Sequence, residues 1–159
     1  MQYLYHSSPK KQLTEIQPRR TLSGDAYIGD FVFATSDPRL AAMYLATKGN
    51  AILLNVKTKK PRIVICNNPI NYLLKDMGGA IYNIPISTFR KSPQKGLEDS
   101  EMVSEVAVIP IEKQVYARSI DAMKDMGVSV YFVNEKMFNK IVQNKEEDKI
   151  IAELRPFFD

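Results

Sequence analysis

Apolar residues recur along the chain in short bursts, separated by polar segments that carry glycine or proline. The first burst, Tyr3-Leu4-Tyr5-His6, suits a short strand over residues 2–6 that stops before Pro9 and presents His6 and Ser7 at its tip, where sites are commonly built. Residues 9–28 mix charge, proline and glycine and read as a long loop, a length that in a compact domain points to function. Residues 30–35, "DFVFAT", are aromatic and branched and predict a strand. A helix follows by its punctuation: Ser36 or Asp37 as N-cap, Pro38 in the first turn and Gly49 as the stop. Leu40, Met43, Tyr44 and Thr47 then share one face.

Further on, residues 51–58 and 61–66 predict two strands joined by the basic turn "KTKKPR", and 68–79 a short helix that ends at glycines. Residues 80–87 read as strand or extended loop, and 91–102 as polar loop. Strands are expected at 104–110, 113–119 and 128–133, with a short helix before Gly127 and a helical tail that Pro156 stops. Strands dominate and helices do not alternate with them regularly. This pattern predicts an α+β domain with a mixed, mostly antiparallel sheet and inserted helices, not a doubly wound parallel sheet. The 159 residues show no repeat and no clear linker, so one domain over 1–159 is the simplest organisation.

Composition narrows the chemistry. No apolar run approaches the roughly 20 residues of a membrane-spanning helix. The N-terminus lacks a basic region followed by an apolar core, so a cytoplasmic location without membrane attachment is expected. One cysteine and one histidine allow no internal disulfide and no zinc-type cluster, and Cys66 reads as a small buried hydrophobe. The 22 basic and 18 acidic residues leave a charge of only +4, a weaker bias than a dedicated nucleic-acid domain carries. Glycine-rich phosphate loops and the G-x-S-x-G elbow are absent. A serine triad would need His6, whose neighbour Ser7 points to the opposite strand face.

Three stretches remain: "LYHSSP" at 4–9, "GDFVFATSDPRLAAMY" at 29–44 and "SEMVSEVAVIP" at 100–110. In this order they resemble the histidine-type branch of the ADP-ribosyltransferase superfamily, which includes poly(ADP-ribose) polymerases, diphtheria-type toxins and RNA 2'-phosphotransferases. That branch carries a first-strand "YHG[ST]"-like motif, then a "G-x-Y-F-A"-like strand running into a helix with a tyrosine, then a strand that opens with glutamate. Here Ser7 stands where the family usually has glycine, Val32 falls on the strand tyrosine in an ungapped reading, and Met43 on the helix tyrosine beside Tyr44.

The resemblance implies an ADP-ribosyltransferase-like split sheet and NAD as a substrate cleaved at its nicotinamide–ribose bond. Glu105 would stabilise the oxocarbenium-like transition state, with Glu101 as a competing carboxylate. His6 would hold a ribose hydroxyl, the Ser7 backbone the nicotinamide amide, Phe33 or Tyr44 the nicotinamide ring, and Arg19 or Arg20 the pyrophosphate. Each residue also has a purely structural alternative: strand-end histidine, solvated glutamate and arginines, core aromatics. The implied functions are transfer of ADP-ribose to a protein or nucleic-acid acceptor or to water, as in an NAD-consuming toxin with an antitoxin-type partner. The alternatives are an RNA 2'-phosphotransferase-like enzyme and a catalytically inactive binding module.

Overall fold

The computed structural model describes residues 2–46, 51–54, 60–94, 99–143 and 147–158. The elements are β1 (Tyr3–Ser8), β2 (Arg19–Ser23), β3 (Ala26–Ala34), α1 (Pro38–Ala46), β4 (Ala51–Leu54), β5 (Arg62–Cys66), α2 (Pro69–Lys75), β6 (Gly79–Pro85), β7 (Arg90–Lys91), β8 (Met102–Ser104), β9 (Glu112–Tyr116), α3 (Ser119–Asp125), β10 (Ser129–Val133), α4 (Glu135–Gln143) and α5 (Glu147–Ala152). The protein is α+β with mostly antiparallel sheets. The Gly49 stop, Thr47 and residues 57–59 of the basic turn at 57–62 lie outside the described residues. The chain divides into two compact units, Met1–Ala41 with Gly79–Val115 and Ala42–Gly78 with Tyr116–Asp159, and the division falls inside α1.

In the first unit one sheet has the order β1-β6-β9 and a second the order β2-β3-β8-β7. A two-bond bridge joins them: Tyr5 N–H donates to Thr35 O at 2.8 Å and Thr35 N–H to Tyr5 O at 2.9 Å. Inward residues of both sheets share one core, with Leu4 from β1, Val32 and Ala34 from β3, and Ala80, Tyr82 and Ile84 from β6. Tyr82 is fully buried, and its hydroxyl donates to Lys10 O at 2.5 Å and accepts from Leu13 N–H at 3.1 Å. The start of the loop after β1 is thereby tied to the core.

Three expectations about this unit are corrected. β1 does not stop at His6; it runs on to Ser8, pairing residue by residue with β6 until Pro9 removes the next donor. Residues 9–28 are not one loop, because β2 and the start of β3 form a hairpin there. Its two-residue turn, Gly24-Asp25, uses the positive φ of +61° that Gly24 allows. Residues 104–110 are not a strand: β8 ends at Ser104, whose hydroxyl donates to Val106 O at 3.1 Å and bends the chain. Beyond it only Val108 makes a bridge, to Ile16.

The second unit is built on β5, parallel to β10 and antiparallel to β4. Leu54, Val64 and Val133 pack with Ile141 of α4 and Ile150 and Ile151 of α5. Asp76, just past α2, collects three backbone donors: Gly78 at 3.1 Å, Ser119 at 2.7 Å and Ile120 at 3.1 Å. It thus caps α3 from a distant part of the chain and ties α2 to α3.

Asp76→Ala strands those donors and is expected to lower stability by about 1–3 kcal/mol in denaturant titration, with Asp76→Asn losing less. A loss below about 0.5 kcal/mol would show that water replaces the carboxylate without cost.

Candidate functional site

The bridge at Tyr5 and Thr35 organises the site. In an antiparallel strand a residue sends its N–H and C=O to one side, and the side alternates along the chain. Thr35 turns both groups to β1, so Phe33, two residues earlier, turns its own the same way. β1 has diverged by then, and the His6 imidazole takes the place of a ladder partner: its Nδ1–H donates to Phe33 O at 2.7 Å. By the same alternation Ser7 turns its backbone groups toward β3, where among the described residues no strand pairs with them.

That bond sets the tautomer. With Nδ1 donating, neutral His6 keeps Nε2 as a lone-pair acceptor suited to a hydroxyl. Burial holds the imidazole below its ordinary pKa against the opposing pull of the Phe33 carbonyl, and the charge of Arg19 pushes in the same direction as burial. The Tyr82 ring lies beside it, centroids 6.4 Å apart.

β3 has two faces. Val32 and Ala34 point into the core, while Phe31 and Phe33 leave on the other face and meet edge to face at 6.0 Å. Val32 is therefore a core residue, and the aromatic face of β3 comes from its two neighbours, buried Phe31 and half-buried Phe33. His6 leaves β1 on the face of buried Leu4 and Ser8, so it meets Phe33 through the carbonyl and not the ring.

Glu105 follows β8 on the bend after Ser104, in place of the strand start expected for it. It lines a hollow of about 390 Å³ with Tyr27, Ile28, Gly29, Asp30 and Phe31. Arg90 Nη2 donates to Glu105 Oε1 at 2.5 Å, and its guanidinium sits over the Phe31 ring, 5.6 Å from the centroid. Phe31 packs against Gly29, where a Cβ would come within 2.4 Å of the ring and where φ is +146°. Glycine is thus required at position 29 for both backbone and ring.

Arg19 and Arg20 are placed on β2, not on a loop. Arg19 pairs with Phe31 across the hairpin, and Arg20 stacks on Tyr27 at 5.1 Å. The competing carboxylate, Glu101, is buried and accepts from Ser92 Oγ at 3.1 Å. Burial raises its pKa despite that bond, which makes it a structural tie across the loop between β7 and β8. Tyr44 is half-buried on α1 in the second unit.

Comparison with family models, with curated proteins and with solved structures finds no match.

Arg90 and Tyr27 were not singled out by sequence reasoning. The available signal was the Ser23-Gly24-Asp25-Ala26 turn, which marks a hairpin and would have placed Tyr27 near Arg20 on neighbouring strands. Arg90 had no local signal, since only the β7–β8 pairing, Arg90 opposite Val103, brings it to this face. In the second unit Cys66 is half-buried and lines a hollow with Asn67, Asn68, Phe132 and Glu135, which corrects its reading as a buried hydrophobe. Among the described residues no group of three His, Cys, Asp or Glu side chains could hold a metal ion, and no helix is long and apolar enough to cross a membrane.

His6 is the only histidine, so its NMR titration is unambiguous. The midpoint is expected below the ordinary 6.5, and Arg19→Ala should raise it. The unfolded chain then binds the proton more readily than the folded one. The His6 contribution to stability is present above pH 6.5 and is lost as pH falls from there toward the lowered folded value. An unshifted midpoint in both proteins would refute this environment. Separately, Gly29→Ala should displace Phe31 and cost about 1–3 kcal/mol, read by thermal melting and Phe31 ring resonances.

Proposed function

We propose that the protein binds NAD along the gap between β1 and β3 and acts as an ADP-ribosyltransferase-like enzyme on its nicotinamide–ribose bond. The observation that supports this best is the pair of Ser7 backbone groups, which no strand pairs with among the described residues, beside a histidine whose Nδ1 is committed to Phe33 O. Such an edge offers the donor and acceptor a carboxamide needs, and Nε2 accepts from a ribose hydroxyl. A ligand threaded between diverging strands is reachable from both faces. His6 and the Phe33 and Glu105 side therefore need not share a face to act on it.

The chemistry asks for a carboxylate near a carbon that becomes positive as the C–N bond breaks and its electron pair leaves with neutral nicotinamide. Glu105 is an exposed carboxylate in the hollow beside Phe31, where Asp30 is a second one, and the buried Glu101 is not suited to the role. The acceptor, a protein or nucleic-acid group or water, would bond the same carbon and release its proton to Glu105 or solvent. Arg19 and Arg20, exposed on β2, suit the pyrophosphate. By resemblance to the family, an antitoxin-type partner would fit a toxin role. A binding-only module is the second reading, favoured by Val32 lying in the core where the family's strand carries an aromatic.

The test is NAD titration followed by nicotinamide release. Glu105→Gln is expected to lower release by about 10²–10³ while leaving the melting temperature within a degree or two. Binding without release in the wild type supports the binding module. No binding at millimolar NAD refutes the NAD enzyme and supports an inactive module with a different partner.

A further inference from the structure

Arg90 occupies the surroundings that the proposed chemistry reserves for something else. Its guanidinium is a flat, delocalised cation, placed over the Phe31 ring and paired with Glu105. A nicotinamide ring joined to ribose is also a flat cation that would seek an aromatic face and a carboxylate. We infer that Arg90 is a specificity-determining residue of this site: it stands on Phe31 and Glu105 until a flat organic cation displaces it. The inference rests on the NAD reading above.

The geometry limits who can move. Phe31 is only 2% exposed and its ring lies against Gly29, so the aromatic face is rigid. Arg90 belongs to a two-residue edge strand, and its side chain and that of Glu105 are 54% and 63% exposed. Water already competes for such a pair, so it is held loosely enough to open. The two contacts select by chemistry. A ligand that is flat and cationic regains both when Arg90 leaves, whereas a neutral or non-planar one leaves Glu105 without a partner on that side. The oxidised dinucleotide, with its cationic ring, should therefore be favoured over the reduced form, whose ring is neutral. Catalysis gains as well, since release of Arg90 frees Glu105 when the substrate cation arrives.

Calorimetric titration of the full chain with NAD and with NADH tests this, using wild type, Arg90→Gln, Arg90→Lys, Glu105→Gln and the Arg90→Gln/Glu105→Gln double variant. Arg90→Gln is expected to bind NAD about 3- to 10-fold tighter, the size of an exposed cation–π contact plus an exposed ion pair. Arg90→Lys, which keeps the charge but not the plane, should gain less. NADH affinity should change little in either. The gain should shrink in the Glu105→Gln background, because the competition is for that carboxylate. Should Arg90→Gln fail to fold, the lysine variant decides, and no gain there overturns the inference. If wild type binds NAD and Arg90→Gln binds it equally or more weakly, Arg90 is not a competitor, while the NAD reading stands. If no variant binds NAD, the NAD reading falls and this one with it.

Discussion

Two backbone hydrogen bonds between Tyr5 and Thr35 are where the two sheets of the first unit meet, and the site follows from what happens beyond them. Past that bridge β1 and β3 part, yet β1 goes on pairing with β6 and β3 with β8. Main-chain groups on the inner edges of the gap need partners, because leaving them dry and unpaired costs about as much as a lost hydrogen bond. His6 meets that demand at Phe33. The same bond that repairs the sheet also fixes the tautomer and leaves Nε2 as an acceptor. Its low basicity belongs to the same picture, since a buried neutral ring beside Arg19 resists a second proton.

The aromatic side of β3 is built on a steric contact that two charge contacts extend. Gly29 makes room for Phe31, Phe31 supports the guanidinium of Arg90, and Arg90 holds Glu105. The Arg90–Glu105 pair is exposed and individually weak, whereas Phe31 beneath Arg90 is buried. What matters is the order of rigidity, from a glycine that admits no side chain to a carboxylate mostly in water.

Much of the element pattern was legible. The strand at 30–35, the cap-and-proline start of α1, β5, β10 and the helical tail follow from local periodicity and punctuation. The hairpin of β2 and β3 was hidden by its charge. Arg19, Arg20 and Asp30 break the alternation expected of a strand because this stretch is largely solvent-facing and needs no apolar row. Its glycine turn was nonetheless readable. The missed end of β8 has a different cause: residues 105–109 look β-prone, but Ser104 turns its hydroxyl onto Val106 O and stops the ladder.

The sequence by itself determined which side chains are on offer: a single histidine, a glutamate at 105 and aromatics alternating at 31 and 33. Composition and alternation are local properties, so they survive without knowledge of the fold. Only the tertiary structure decided that Val32 is core, that His6 is bonded to a carbonyl on another strand, that Glu101 is buried, and that Arg90 sits on Phe31 with Glu105. These depend on pairings between strands far apart in the chain, and on where one strand leaves another. Nothing in a run of neighbouring residues encodes that choice, because it is made by the competition of backbone groups for partners across the sheet.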